Sequence, residues 1–237
     1  LENFNFEKFI SNSKITFTQK LDPVYKAIEK VRKKLDKNKS LISFIGAPWT
    51  LIIYMLNLKK NKINLDKSKL SNNKNDLDII INTLIRYLTI HIDNQINSGA
   101  DVVQIFDSWA GLISEKNIKK FCYIPNAKIV EFCKKKKIPN ICFPKGIKEN
   151  FKEFNKIVKP DGINIDIEIN PSWAKKNLID VVIQGGMDPT ALLKSEKEML
   201  KVATKYTETF QDIPYVFNLG HGLLPETDPD KVQCLIN

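Results

Sequence analysis

The sequence of 237 residues predicts an α/β domain built on a parallel β-sheet with helices on its faces. Six short apolar stretches have the length of strands, and helix-like patterns lie between them. These stretches are apolar on both faces, which is typical of a parallel sheet that helices cover. The loops of unusual composition follow directly after strands, as in folds whose sites lie at the carboxyl ends of the strands. Two architectures fit: a doubly wound sheet, and a TIM-type barrel that lacks at least one or two of its eight strands.

Each predicted strand is a short run of mainly Ile, Val and Phe. The six runs cover residues 41–47, 101–108, 140–143, 162–169, 180–187 and 214–219. The fourth run contains Asp166 and Glu168, whose spacing would place them on the same side of a strand. We expect them to form salt bridges with basic residues at the strand end; the alternative is that the two form a carboxylate pair.

The predicted helices have apolar residues spaced three and four apart, so that one face is apolar. The first begins with Asp22 as its cap and Pro23 as its first residue, and its apolar face runs from Val24 to Leu35. Further helices are predicted from Thr50, over about 76–97, 115–137 and 189–210, and near 172–178. The polar residues 57–75 are predicted to form a variable, solvated excursion.

The composition argues against several classes of protein. The net charge is +10, but among 37 basic residues only Arg32 and Arg86 are arginines, the usual bidentate readers of bases and phosphates. Specific nucleic-acid binding is therefore not expected, although the charge favours an acidic small molecule. The four cysteines lack Cys-x-x-Cys spacing, which argues against a disulfide scaffold and a structural zinc site. No Gly-x-Gly-x-x-Gly or Walker sequence supports nucleotide binding.

The sequence shows no pattern typical of a membrane span or a targeting segment. The longest apolar run, residues 41–56, is shorter than the roughly 20 residues that cross a bilayer, and Gly46 and Pro48 interrupt it. The first residues show neither a leading Met nor a continuous apolar stretch. We therefore expect no membrane partner, and the four cysteines, read as reduced thiols, favour an intracellular location.

Three residues near strand ends are candidates for binding an anionic ligand. Tyr54 lies two turns into the helix after the first strand, and it is either a core tyrosine or a hydroxyl donor at the mouth of the sheet. Ser108 follows the second strand and is either a helix cap or a donor to an anion. His221 lies between Gly220 and Gly222, which allow a ligand to come close; the alternative is a turn histidine bonded to the backbone.

Four segments carry a resemblance to a known family. They are FIGAPWTLIIYM (44–55), GADVVQIFDSWAGLIS (99–114), VIQGGMDPTALL (182–193) and FNLGHGLLPETDPDKV (217–232). In this order, over about residues 21–237, the sequence resembles the uroporphyrinogen decarboxylase family. The resemblance implies a (β/α)8 barrel, incomplete here with about six strands visible. It also implies that residues 1–237 form a single barrel domain, about the C-terminal two-thirds of a longer parent protein.

Site residues are implied by the same resemblance. Tyr54, Ser108 and His221 fall on the family's substrate-binding residues, and Phe44 and Phe106 fall on apolar walls of its cleft. The family's catalytic Asp and Arg residues find no counterpart in this sequence. We therefore expect them upstream, and we expect this stretch alone to be inactive. Neither a metal nor an organic cofactor is implied.

The implied activity is the decarboxylation of the four acetate side chains of uroporphyrinogen III to give coproporphyrinogen III in haem biosynthesis. An anionic tetrapyrrole substrate, a homodimer and a location in the cytoplasm or a plastid are implied with it. Two alternatives stay open: a zinc-dependent corrinoid or thiol methyltransferase of the same superfamily, and a non-catalytic module that binds a tetrapyrrole or another anion. The methyltransferase needs a zinc site built on a His-x-Cys pair, which the sequence lacks.

Overall fold

The computed structural model of the protein describes residues 6–11, 13–58 and 74–236. Their strands form one parallel sheet in which neighbours in sequence are neighbours in space. The strands are β1 (Ile42–Gly46), β2 (Val102–Asp107), β3 (Asn140–Pro144), β4 (Gly162–Ile165), β5 (Val182–Gly185) and β6 (Tyr215–Val216). A doubly wound sheet reverses its strand order at a switch point, and these six strands do not, so the barrel alternative is the correct one.

Contacts across the inner face show that the sheet is curled. Nε2 of Gln184 in β5 donates to Oε1 of Gln104 in β2 at 3.1 Å and to Oδ1 of Asn164 in β4 at 2.7 Å. In a flat sheet β2 and β5 would be about 14 Å apart, because neighbouring strands are separated by about 4.8 Å. Only strong curvature brings the two glutamines together. The six strands therefore form the larger part of a TIM-type barrel, as the family resemblance predicts.

α-Helices connect the strands and cover the outer face of the sheet. They are α1 (Phe6–Ser11), α2 (Lys14–Lys34), α3 (Pro48–Met55), α4 (Lys74–Asn97), α5 (Glu115–Ile118), α6 (Ile124–Lys135), α7 (Phe151–Val158), α8 (Pro171–Asn177), α9 (Glu196–Phe210) and α10 (Pro229–Ile236). A π-helical turn over Lys119–Tyr123 joins α5 to α6. The outward side chains of β2 to β5 are buried, as Ile105, Ile163 and Ile183 show. The main core thus lies between the sheet and its helices.

All six predicted strands are present; the first two are each two residues shorter than predicted, and the last three are each four residues shorter. The fourth ends at Ile165 because Asp166 turns the chain. Its carboxylate accepts the backbone N–H groups of Gly146 and Glu168 at 2.6 and 3.0 Å. Asp166 is buried, whereas Glu168 is exposed. The prediction that both carboxylates face the same side of a strand is therefore wrong.

The first long helix, α2, begins well before its predicted start. Ser13 caps it by accepting a backbone N–H at 3.1 Å. Pro23 lies inside the helix on its exposed side, where it lacks the N–H of a helical hydrogen bond. The predicted apolar face is also wrong, since Val24 is 40% exposed. The buried side carries Tyr25, whose hydroxyl is 3.0 Å from Nδ1 of His91 in α4.

Three further expectations concern segments between the strands. The helix predicted over 189–210 is divided into a 3₁₀ turn, Pro189–Leu193, and α9, because Ser195 begins a new helix through a capping box with Glu198. Most of the predicted polar excursion, residues 59–73, lies outside the described residues. Of the helices that the structure describes, none has the length and apolar character needed to cross a membrane.

Candidate functional site

The candidate site lies at the edge of the sheet where the parallel strands end. Because all six strands run in one direction, the loops that follow them meet at this edge. The structure places Tyr54 in α3 after β1, Ser108 after β2 and His221 after β6. It thus brings the three candidates to the same edge, and their part in binding a substrate stays a prediction.

Asp107 holds the first two loops together. It is 1% exposed, and its carboxylate accepts hydrogen bonds from Thr50 Oγ1 in α3 at 2.9 Å and from Asn126 Nδ2 in α6 at 3.0 Å. Burial raises the pKa of Asp107 from 3.8 to about 6, and hydrogen bonds from Cys122, Thr50 and Asn126 limit the rise. The carboxylate thereby joins α3, β2 and α6 directly beside Ser108.

Tyr54 and Ser108 present hydroxyl groups at this edge. Tyr54 is 53% exposed, so the alternative of a core tyrosine is wrong. Its ring lies edge-on to the ring of Trp109, with centroids 6.3 Å apart. Ser108 caps no helix, because the 3₁₀ turn that follows begins after Trp109. Neither hydroxyl is hydrogen-bonded to another described residue, which leaves both available to a ligand.

A row of three aromatic rings forms an apolar wall on the inner face of the barrel. Phe44 of β1 contacts Phe106 of β2, and Phe106 contacts Phe143 of β3; both pairs are edge-to-face with centroids 5.9 Å apart. Phe44 is 65% exposed, which makes it the open end of the wall. The structure thus brings the two predicted wall residues together. Phe143 was missed by the sequence reasoning, although it lies in a predicted strand.

His221 is a turn histidine bonded to the backbone, as the alternative prediction has it, and its side chain is exposed. The N–H of Gly222 donates to Nδ1 of the ring at 2.7 Å, so the proton of the neutral imidazole lies on Nε2. A Cβ at Gly220 would lie 2.8 Å from the backbone N of Ile167, which explains why a glycine occupies that position. Partial burial and the charge of Lys145 both lower the pKa of His221. At neutral pH the residue is therefore a neutral donor through Nε2.

Gly111 is the point where the loops after β2 and β3 touch. Its N–H donates to the Lys145 carbonyl at 2.9 Å, and a Cβ at Gly111 would lie only 2.5 Å from the carbonyl oxygen of Gly146. We predict that Gly111→Ala destabilises the protein by about 1–3 kcal/mol, because backbone atoms must move apart. Denaturant unfolding measures this, with Gly222→Ala as the control, since a Cβ there meets nothing within 4 Å. Unchanged stability of Gly111→Ala would contradict so close a contact.

A groove of about 710 Å³ lies at the opposite edge of the sheet, where β4 and β5 begin. It is lined in part by the side chains Lys134, Lys152, Lys156 and Lys159. None of the candidate residues lines it. In the ranges that the structure describes, no cluster of three or more His, Cys, Asp and Glu side chains is arranged to hold a metal ion.

Two solved structures share the fold. A methyltransferase from Methanosarcina mazei matches with a TM-score of 0.66 and 18% identity, over 90% of this chain and 62% of that chain. A B12-independent methionine synthase from Shewanella sp. W3-18-1 matches with a TM-score of 0.60 and 12% identity, over 90% of this chain and 64% of that chain. At such low identity the likeness shows the fold alone.

Curated relatives named uroporphyrinogen decarboxylase match nearly the whole chain. The protein of Rickettsia bellii is 38% identical over 99% of this chain and 68% of its own length. Those of Orientia tsutsugamushi (strain Boryong) and Wolbachia pipientis wMel are 37% and 36% identical, over 96% and 91% of this chain and 67% and 63% of their own lengths. The chain thus spans about two thirds of their length. The profile of the family described as uroporphyrinogen decarboxylase (URO-D) matches residues 4–237, and the chain therefore belongs to that family.

Proposed function

We propose that the protein decarboxylates the four acetate side chains of uroporphyrinogen III, giving coproporphyrinogen III. The observation that carries the proposal is the family membership, with relatives of that name at 36–38% identity over most of the chain. The candidate site supports it. Tyr54 and Ser108 offer hydroxyl groups, and His221 offers an Nε2–H; such groups donate hydrogen bonds to carboxylates.

The proposed reaction uses the substrate itself as the electron sink. Protonation of a pyrrole ring allows the bond between the acetate methylene and its carboxyl group to break. Carbon dioxide leaves, and the electron pair passes into the ring. A proton then adds to the methylene carbon to make a methyl group, and the ring releases the proton that it took up, which restores the pyrrole. In the proposal the donors at the strand ends orient the carboxylates, while the wall of Phe44, Phe106 and Phe143 packs against the macrocycle.

Turnover by the whole protein tests this function. We expect uroporphyrinogen III to be converted to coproporphyrinogen III, which is measured by chromatography of the oxidised porphyrins. Binding of uroporphyrin without turnover would favour the non-catalytic module. Methyl transfer without decarboxylation would favour the methyltransferase. Either result would overturn the proposed function.

We also propose a homodimer in the cytoplasm, on the basis of the family resemblance. A single barrel domain pairs with a second copy as a homodimer, which light scattering of the whole protein tests. A monomer at micromolar concentration would contradict it. The relatives named above are bacterial, which supports the cytoplasm and gives no support to a plastid.

A further inference from the structure

Lys145 is a second basic group at the candidate site, and sequence reasoning missed it. It is the first residue after β3, and its backbone N–H lies 3.2 Å from the Asp107 carbonyl and 3.1 Å from the Phe143 carbonyl. The backbone position is therefore fixed at the edge that carries the other candidates. The side chain is half-buried. Throughout the described ranges, its ammonium forms no hydrogen bond and no ion pair within 4 Å.

Two contacts to the Asp166 turn connect Lys145 with His221. The N–H of Gly146, the next residue, donates to Oδ2 of Asp166 at 2.6 Å. On the other side, a Cβ at Gly220 would lie 3.0 Å from the backbone carbon of Asp166. Lys145 therefore precedes one glycine, and His221 follows another, and both glycines contact the Asp166 turn. The lowered pKa of His221, which burial and then the charge of Lys145 cause, agrees with this proximity.

Among the described residues, the ammonium of Lys145 has no carboxylate within 4 Å. Asp166 and Glu168 are the acidic residues whose charges act on it, and burial lowers the pKa of Lys145 more than they raise it. Both carboxylate oxygens of Asp166 are already used by the backbone N–H groups of Gly146 and Glu168. Partial burial removes some of the water around the ammonium, and a carboxylate from a ligand would take the place of that water.

We propose that the Lys145 ammonium binds one carboxylate of the acidic substrate, beside the donor Nε2 of His221. The inference rests on the proposed function and adds a cation to a site that otherwise offers neutral donors. It concerns binding and orientation, with no part in bond breaking. The carboxylate sits between the loop after β3 and the loop after β6, next to the aromatic wall.

Binding of uroporphyrin to the whole protein tests the proposal, with fluorescence quenching as the readout. Lys145→Met removes the charge and keeps the length, and we expect roughly tenfold weaker binding, as for the loss of one charged hydrogen bond. Lys145→Arg keeps the charge and is expected to recover most of the affinity. Lys148→Met, an exposed lysine in the same loop, is the control and should bind as the wild type does. Affinity of Lys145→Met equal to that of the control would overturn the proposal.

The titration of His221 gives a second readout, which depends on neither turnover nor ligand binding. In NMR titrations of ¹³C-labelled histidine, Lys145→Met is expected to raise the pKa of His221 and to leave that of His91 unchanged, while Lys148→Met changes neither. Weak binding by both Lys145 variants with an unchanged His221 titration would mean that shape, not charge, matters, and it would overturn the proposal. If the wild type binds uroporphyrin and the variants behave as expected but nothing is decarboxylated, the proposed function fails and Lys145 keeps its role. A wild type that does not bind uroporphyrin overturns both.

Discussion

Replacement of His221 by alanine in the whole protein is expected to lower kcat/KM for uroporphyrinogen by roughly 10- to 150-fold, because a hydrogen bond to a charged group contributes about 1.5–3 kcal/mol. The Gly222 N–H occupies Nδ1, so the bond that is lost is the one from Nε2. The loss should be greatest for the partly decarboxylated intermediates whose orientation depends on this contact. Steady-state kinetics with the octacarboxylate substrate measure it.

Two conservative variants separate positioning from proton transfer at His221. The amide nitrogen of His221→Gln reaches the place of Nε2, so this variant should retain much of the activity. The shorter His221→Asn reaches only as far as Nδ1 and should resemble the alanine variant. If Gln, Asn and Ala variants are equally inactive while uroporphyrin binds normally, His221 transfers a proton and the positioning role is wrong.

The Asp107→Asn variant is expected to become more stable relative to the wild type as the pH rises. The folded protein raises the pKa of Asp107 from 3.8 to about 6, so folding favours its protonated form. That stabilisation is fully present below pH 3.8 and is lost as the pH rises through about 6. The complete difference corresponds to about 3 kcal/mol, of which about 1.4 kcal/mol falls between pH 5 and pH 7.5. The asparagine side chain does not titrate, so the stability of the variant lacks this dependence on pH.

Denaturant unfolding of the whole protein at these two pH values checks the prediction. The difference in unfolding free energy between Asp107→Asn and the wild type should grow in favour of the variant by about 1.4 kcal/mol. Asp36→Asn, which changes an exposed carboxylate, is the control and should show no such growth. A difference that is the same at both pH values would show that burial does not perturb Asp107.

The position of the site was predictable because parallel strands place all their following loops at one edge. Tyr54, Ser108 and His221 each lie shortly after an apolar run in the sequence, and the fold brings them to that edge. Strand lengths were less predictable, because an apolar run does not show where a turn begins. At Asp166 the chain turns through hydrogen bonds from a distant loop, and the sequence spacing contains no sign of these bonds.

Lys145 was missed for a different reason. It is one lysine in a chain that is rich in them, so its type carries no information. The available signal was its place directly after a predicted strand, in Phe-Pro-Lys-Gly, like the other candidates. The early start of α2 was missed because Asp22 and Pro23 imitate a cap locally. Whether a cap is used depends on tertiary packing, here of Tyr25 against His91.

Pairing along the sheet is uneven, and this affects the loop that carries His221. β1 and β2 are in register from Ile42 opposite Val102 to Gly46 opposite Phe106, whereas β6 pairs with β5 through Tyr215 and Val216, and one isolated bridge further on joins Leu219 to Met187. Local opening needs the least free energy where the fewest bonds hold a strand. The N–H of Gly220 donates to the Met187 carbonyl at 2.8 Å, so the His221 loop is tied to the barrel up to that residue. Beyond Gly220 we expect the loop to open more readily than the loop of Ser108, which buried Asp107 fastens. A bulky, rigid ligand would therefore enter and leave past His221 and the mostly exposed residues that follow it.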